Sequence, residues 1–222
     1  MYRGSIPQAS MRATSDRTLF VSGSGIVQAE PDLANIQLGV VTQDQELTTA
    51  QQQNGQRMND VMAALTKLGI DAEDIQTVDY TIYPQYDYID GKQEFSGYQV
   101  THTISVTIKQ LDQTGLVIDT GVANGANRVS NIQFTLQDPE LYYEQALTAA
   151  LKDAIQKANL ISSELQLQLD PVPTKIVERT QSTPAPYQTL TKAEAAAPPS
   201  TSIEPGQLQI TANVDTTFQY LA

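Results

Sequence analysis

Leu19 to Val41 reads LFVSGSGIVQAEPDLANIQLGVV. Apolar and polar residues alternate on both sides of Glu30-Pro31-Asp32, and the alternation is cleanest at Ala34, Ile36, Leu38 and Val40. A period of two is typical of a strand that has one face in water. The stretch therefore predicts two strands, with the proline-centred segment as the connection that turns the first strand back on itself.

The composition limits the class of protein. The chain has 222 residues, no cysteine, and a net charge of -12 from 13 basic and 25 acidic residues. Such an acidic field repels phosphate backbones, which argues against nucleic-acid binding. No apolar run reaches the roughly 18 residues that a transmembrane helix needs. The sequence therefore predicts an acidic globular protein with no transmembrane segment and no disulfide.

The predicted domain begins after a short leading segment. The first ten residues, MYRGSIPQAS, lack the apolar core of about 7 to 15 residues that an export signal carries. Residues 1–17 are therefore predicted to be disordered or to be the remnant of a tag or leader. Residues 18–222 are predicted to form a single domain, with an alternative division into two subdomains near residue 110.

Three helices are predicted from apolar spacing and from end signals. The first has a stripe at spacings of three and four, with Gly69 as a left-handed C-cap: Ala50, Asn54, Met58, Val61, Leu65 and Leu68. A shorter helix runs from Asp112, as N-cap, to Gly125. Asp138 and Pro139 open the longest helix as N-cap and first residue. Its predicted buried stripe is Leu147, Leu151, Ala154, Ala158, Ile161 and Leu165.

The remaining patterns predict strands and one insertion. Ile75–Tyr88 and Phe95–Ile108 flank Asp90-Gly91, a dipeptide suited to a type I′ hairpin turn. Further strands are predicted at Val129–Leu136, with Ile132 and Phe134 inside, at Thr174–Arg179 and at Leu208–Leu221. Residues 180–205 are rich in Pro, Ala, Ser and Thr and predict a mobile insertion or an arm that orders against a partner. The predicted class is α+β, a mostly antiparallel sheet covered by helices in the order ββαββαβαββ.

Several sequence blocks together resemble the SIMPL family, a set of mostly bacterial, mostly exported proteins. They are VSGSGIVQAEPDLANI, LTKLGIDAEDIQTVDYTIYPQYDY, GYQVTHTISVTIKQLDQTGLVIDTGVANGANRVSNIQFTLQDP and PGQLQITANVDTTF. The resemblance implies a periplasmic or otherwise exported location, no cofactor, self-association in some members, and links to oxidative stress or envelope integrity. The family often has an Ala- and Arg-rich pattern in the long helix. Here LKDAIQKANLISSEL keeps the stripe and loses the arginine.

The residues that could carry chemistry favour structural roles. His102 is the only histidine and lies on the apolar face of its strand, where a hydrogen bond to backbone is expected. The acidic groups at 30 and 32, at 71 to 74, and at 87 and 90 match no calcium-loop pattern and suit turns and caps. The glycines at 23 and 25 and at 121 and 125 lack the residues of a phosphate loop. The sequence therefore predicts no catalytic, cofactor-binding or metal site and no enzyme.

Tyrosines are concentrated on the predicted hairpin. They are Tyr80, Tyr83, Tyr86, Tyr88 and Tyr98. Alternation places Tyr80, Tyr86 and Tyr88 on one face and Tyr83 on the other, so they cannot all be core residues. Tyrosine is enriched at protein interfaces, although ordinary cross-strand packing explains the pattern as well. The five tyrosines are the candidate interface.

These observations lead to two functional hypotheses. The first is a non-enzymatic exported protein of the SIMPL type that acts as a homo-oligomer in envelope integrity or stress response, with self as partner and peripheral association with the envelope. The alternative is a module that binds a small molecule or peptide in the groove between the helices and the sheet. The sequence identifies no particular ligand.

Overall fold

A computed structural model describes residues 17–179, 185–187, 201 and 203–221, with the backbone alone at 185–187. These residues fall into two units. The first unit comprises the described parts of Met1–Val27, Tyr142–Thr183 and Ile210–Ala222. The second comprises the described parts of Gln28–Leu141 and Pro184–Gln209. Residue 110 lies within the second unit.

The predicted α+β class with antiparallel pairing is confirmed. The helices are α1 (Leu47–Leu68), α2 (Thr114–Ala123) and α3 (Pro139–Glu164). The strands are β1 (Thr18–Ala29), β2 (Leu33–Asp44), β3 (Ile75–Ile89), β4 (Lys92–Ile108), β5 (Arg128–Thr135), β6 (Gln168–Leu169), β7 (Lys175–Glu178), β8 (Ala185–Tyr187) and β9 (Gln207–Leu221). The order agrees with the prediction through α3. Four strands then follow it instead of two, because β6 and β8 are too short to leave a periodic pattern.

The second unit contains a four-stranded sheet in the order β3-β4-β2-β5. The pairing of β2 with β4 runs from Ala34 opposite Ile108 to Asp44 opposite Tyr98. Apolar residues of β2 and β4 pack with α1 and α2 in one core, whose fully buried large members include Ile36, Leu38, Met58, Leu65 and Ile104. The burial of these side chains drives the folding of this unit.

The sequence predicted that Glu30-Pro31-Asp32 turns the first strand back on itself. In the structure β1 and β2 do not pair with each other. β1 pairs with β9, whereas β2 pairs with β4 and β5. The backbone N–H of Asp32 donates to the carbonyl of Thr135 at 3.2 Å, and its carboxylate accepts the N–H of Gln137 at 2.7 Å. Asp32 therefore fixes the start of β2 beside the end of β5.

α1 follows the predicted stripe. Ala50, Asn54, Met58, Val61 and Leu65 are buried, and Gly69 ends the helix with φ of 104°. α2 differs from the prediction at its start, because Leu111–Gln113 forms a 3₁₀ turn and the α-helix begins at Thr114. The Thr114 hydroxyl donates to the carbonyl of Leu111 at 2.7 Å, so Asp112 is not the N-cap.

The inward face of β5 was predicted only in part. Phe134 packs against the core, but Ile132 is 39% exposed. The register of β5 on β2 shifts between Asn35 and Gln37, and Asn131 has a positive φ of 53°. This bulge interrupts the alternation and turns Ile132 away from the core.

In the first unit α3 packs against β1, which pairs with β9. Gly23 and Gly25 of β1 lie against the backbone of α3, where a Cβ added at Gly25 would lie 2.0 Å from the carbonyl oxygen of Ala146. The buried residues of α3 are Tyr143, Ala146, Ala150, Ala154, Ala158 and Ser162. The predicted stripe is thus confirmed at Ala154 and Ala158 and wrong at Leu165, which is 63% exposed, while Leu147, Leu151 and Ile161 are only partly buried. A close approach to glycine requires alanine at these positions of the helix.

Two polar side chains of α3 also contact the backbone of β1. Asp153 accepts the N–H of Ser24 at 2.8 Å, and Lys157 donates to the carbonyl of Ser22 at 3.1 Å. Lys157 also donates to Asp153 at 2.7 Å. This bond, followed by the one from Ser24, holds the pKa of the Asp153 carboxyl below its ordinary value. These contacts fix the register of β1 on α3.

The predicted insertion at 180–205 is described only in part. Residues 180–184, 188–200 and 202 lie outside the described residues. The backbone of Ala185–Tyr187 pairs with Gln207–Gln209 of β9. Thr201 donates its hydroxyl to Asp119 at 2.7 Å, and Ile203 packs against the core of the second unit. The end of the segment is therefore anchored on α2 and the core.

Replacing Ile203 with alanine is expected to destabilise the second unit by about 1–2 kcal/mol, less than for a fully buried isoleucine. Urea unfolding with a probe in that unit measures the effect. The control is Val122→Ala, because Val122 is 50% exposed and belongs to the same unit, and there the change should stay within about 0.5 kcal/mol. Equal effects of the two substitutions would show that Ile203 is not a core residue.

Candidate interaction surface

The hairpin of β3 and β4 projects beyond the sheet of the second unit. The pairing of β2 with β4 stops at Asp44 opposite Tyr98, whereas the pairing of β3 with β4 continues to Ile89 opposite Lys92. At about 3.3 Å per residue, the five steps from Pro84 to Ile89 extend about 17 Å past the last residue of β4 that pairs with β2. We call residues 84–98 the ribbon.

The turn of the ribbon has the predicted chemistry. Asp90 has φ of 51° and Gly91 has φ of 75°, the two positive values that a type I′ turn requires. This turn twists the strands in the direction that antiparallel pairing favours. The local sequence therefore fixes the register of the ribbon.

The predicted division of the tyrosines between the two faces agrees with the cross-strand pairs. Tyr80 lies opposite His102, and Tyr86 opposite Phe95. Tyr83 lies opposite Gln99 in the other phase. Side chains directly opposite each other share a face. Tyr80, Tyr86, Tyr88 and Tyr98 therefore belong to one face, and Tyr83 to the other.

Phe95 belongs to the aromatic face, although alternation from Tyr98 places it on the opposite one. The register shifts between Gln85 and Tyr86, which leaves Ser96 as an extra residue on β4. Because of this bulge, the Phe95 ring lies 5.8 Å from the Tyr86 ring and 5.1 Å from the Tyr98 ring, both edge-to-face. Gly97, with φ of 142°, is the local signal for the irregularity.

The aromatic side chains are largely accessible. Tyr88 is 76% exposed and Tyr83 is 58% exposed, while about half of each of Tyr80, Tyr86 and Phe95 is exposed. Tyr98 is half-buried. A group of exposed aromatic side chains of this kind is typical of interaction sites.

The ribbon also carries unbalanced charge. Asp87 lies directly opposite Glu94, and the turn adds Asp90, with Lys92 as the one cation of this stretch. Like charges directly opposite each other destabilise a strand pair. A cation placed beside the pair would offset this repulsion.

His102 is held by side chains rather than by the backbone contact that was expected. Its Nε2 forms a hydrogen bond of 3.0 Å with the hydroxyl of Thr77, and its ring lies 5.3 Å from the Tyr80 ring, edge-to-face. Partial burial lowers the pKa of the imidazole below its ordinary value. The imidazole therefore links the two strands at the base of the hairpin.

The acidic groups singled out in the sequence do not converge. Asp32 caps the end of β5, and Asp74 pairs with Lys109 at 2.7 Å. Among the described residues, no three carboxylate or imidazole side chains lie close enough together to hold a metal ion. Gly125 ends α2 with φ of 120°, a backbone role. These motifs therefore shape turns and close packing.

One cavity of the second unit lies between its helices. Its volume is about 710 Å³. It is lined by Asp60, Ala63, Ala64, Lys67, Ala123, Asn124 and Gly125. The first unit has a separate cavity of about 550 Å³, lined by residues that include Arg17, Asp170 and Tyr220.

The cavity between α1 and α2 is the larger of the two. The lining of the larger one contains no strand residue, so it is not the groove between helices and sheet that the alternative hypothesis invokes.

No helix of the described residues is both long and apolar enough to cross a membrane.

These features define an α+β protein with antiparallel sheets and a projecting aromatic ribbon. The SIMPL family model, described as a protein of unknown function (DUF541), matches residues 19–218. The match spans most of the chain, which confirms the resemblance inferred from the sequence blocks. The chain belongs to the SIMPL family.

Curated relatives extend this comparison. The chain is 28% identical over 202 residues to "Uncharacterized protein YggE" of Escherichia coli (strain K12), which covers 90% of this chain and 82% of the relative. It is 29% identical over 160 residues to the "26 kDa periplasmic immunogenic protein" of Brucella melitensis, which covers 70% of this chain and 64% of the relative. It is thus similar to a protein that is named as periplasmic.

Proposed function

We propose that this chain is a non-enzymatic exported protein that acts as a homo-oligomer, in envelope integrity or in the stress response of the envelope. The observation that carries the proposal is the exposed aromatic ribbon of β3 and β4. A two-stranded ribbon alone is marginally stable in water. Contact with a second copy would cover the rings and stabilise the ribbon.

The export and the non-enzymatic role have separate support. The periplasmic name of the Brucella relative and the family resemblance support an exported location. The only histidine is engaged by Thr77 and Tyr80, and the chain has no cysteine. The common nucleophile and base pairings would therefore all depend on a histidine that already has structural partners.

The alternative hypothesis of a binding module uses the groove between the helices and the sheet. In the second unit this space holds fully buried apolar side chains, including those of Met58, Val61 and Leu65. The accessible aromatic surface lies on the ribbon instead. The observations therefore favour the assembly over the binding module.

Light scattering on a size-exclusion column tests the proposal. We expect an oligomer at micromolar concentration. Tyr83→Ser with Tyr88→Ser should shift it toward the monomer, because both faces of the β3–β4 hairpin lose contact area. The control is Leu116→Ser, since Leu116 is a comparably exposed apolar residue on α2. A monomer at high micromolar concentration in the unsubstituted chain contradicts the proposal.

A further inference from the structure

We propose that the tip of the ribbon of one subunit docks in the cavity between α1 and α2 of the next subunit. This inference rests on the proposed homo-oligomer and names its contact. The occupant is the segment 87–94 of a second copy of this chain. The acceptor is the cavity of about 710 Å³ lined by α1 and by residues at the end of α2.

The charges of the ribbon disfavour a two-fold contact of the ribbon with itself. Asp87, Asp90 and Glu94 outnumber Lys92 near the tip. Two such ribbons face to face would place carboxylates beside carboxylates, and juxtaposed like charges at an interface are costly. A contact between two different surfaces avoids this repulsion.

The cavity has a complementary rim. Lys67 lies in its lining, and Arg57 packs beside Gly125, where an added Cβ would lie 3.3 Å from the Arg57 Cβ. Asp60 is the one carboxylate of the lining. The two cations can meet Asp87 and Glu94 of the incoming ribbon, which relieves the like-charge pair.

The cavity is an open recess with a mostly polar lining, and its size allows it to take a side chain that carries both a ring and a hydroxyl. Its volume lies within the range of about 300–1,000 Å³ that is typical of pockets for small molecules, so a tyrosine ring fits. Ala63, Ala64 and Ala123 form an apolar part of the lining. The oxygens of Asp60 and Asn124 can accept the hydroxyl hydrogen of Tyr88, which satisfies its polar end.

Such a contact is head-to-tail, because the two surfaces are different. Repetition of a head-to-tail contact gives a closed ring when the rotation between subunits closes, and otherwise a filament. Each subunit then uses its ribbon once and its cavity once. A head-to-tail dimer leaves one ribbon and one cavity unoccupied, whereas in a closed ring every ribbon and every cavity is occupied.

The chain offers a clean test because it contains no cysteine. Ile89→Cys marks the ribbon tip and keeps Tyr88, and Ala63→Cys marks the cavity. Each variant is first checked for the unsubstituted oligomeric state by light scattering. The two are then mixed, allowed to exchange subunits and oxidised, and we expect mixed disulfide dimers by mass spectrometry and little product from either variant alone.

The outcomes separate the two proposals. Disulfides in Ile89→Cys alone would indicate a two-fold ribbon contact, and an oligomer without mixed disulfides would place the contact elsewhere. Either result overturns this inference and leaves the homo-oligomer standing. A monomer in the unsubstituted chain overturns both.

Charge exchange provides a second measurement that needs no cross-link. Lys67→Glu and Glu94→Lys should each weaken the assembly by about tenfold or more, and the two together should recover most of the loss. Asp112→Lys, on the 3₁₀ turn, is the control for a change in net charge. Weakening without recovery in the double variant would overturn the proposed pairing.

Discussion

Replacing Gly25 with alanine is expected to destabilise the first unit by about 3 kcal/mol or more, at the upper end of the usual range for overpacking. The added Cβ would lie 2.0 Å from the carbonyl oxygen of Ala146 and 2.6 Å from the backbone nitrogen of Ala150. Both atoms belong to the backbone of α3, so no side chain can rotate away. The helix must move off β1.

Urea unfolding monitored by hydrogen exchange of α3 measures this effect, because the two units can differ in stability. The matched control is Gly55→Ala in α1, where an added Cβ meets no atom within 4 Å. There, alanine should stabilise the helix by about 0.5–1 kcal/mol. An unchanged exchange rate in α3 of Gly25→Ala would mean that α3 does not pack on β1 at this distance.

The same contact shows where sequence reasoning succeeded and where it failed. The start of α3 at Pro139 was predicted because Asp138 and Pro139 are local signals. Its buried face was not, because the leucine spacing of the helix does not reveal that its partner strand has glycine at 23 and 25. Only the packing against β1 selects alanine for the contact face.

The ribbon shows a second limit of the same kind. The turn at Asp90-Gly91 and the division of the tyrosines follow from local chemistry and from a period of two. Ile132 was assigned to the core, because a bulge changes the period without changing the composition. The bulge at Ser96 likewise places Phe95 on a face that plain alternation does not predict. A positive φ at Asn131 is visible only in the structure.

Asn54 is the buried polar residue from which we expect the second large effect. It lies on α1 with none of its surface exposed, and its amide nitrogen donates to the carbonyls of Val40 at 2.8 Å and Val100 at 3.1 Å. Its own oxygen has no hydrogen-bond partner. The amide NH₂ therefore connects α1 to two neighbouring strands of the sheet.

Asn54→Asp is expected to destabilise the second unit by about 3–5 kcal/mol at neutral pH, because it places an unpaired charge beside two carbonyl oxygens. The buried carboxyl must have a raised pKa in the folded state. The stability of the variant is then greatest below the ordinary Asp pKa of about 3.9 and is lost as the pH rises above it.

Urea unfolding of this variant and of the unsubstituted chain between about pH 4 and 7 measures the effect, which we expect to shrink toward the acidic end. The control is Asn59→Asp on the exposed side of α1, where the same change should stay within about 0.5 kcal/mol at every pH. If Asn54→Asp were as stable as this control at neutral pH, the two hydrogen bonds to Val40 and Val100 could not be holding the helix on the sheet.

The connection between α1 and the sheet matters for the proposed assembly as well, because α1 supplies Asp60, Ala63, Ala64 and Lys67 to the cavity. Asn54→Asp should therefore weaken the assembly at neutral pH. The acidic conditions that restore the fold of the variant should also restore its assembly.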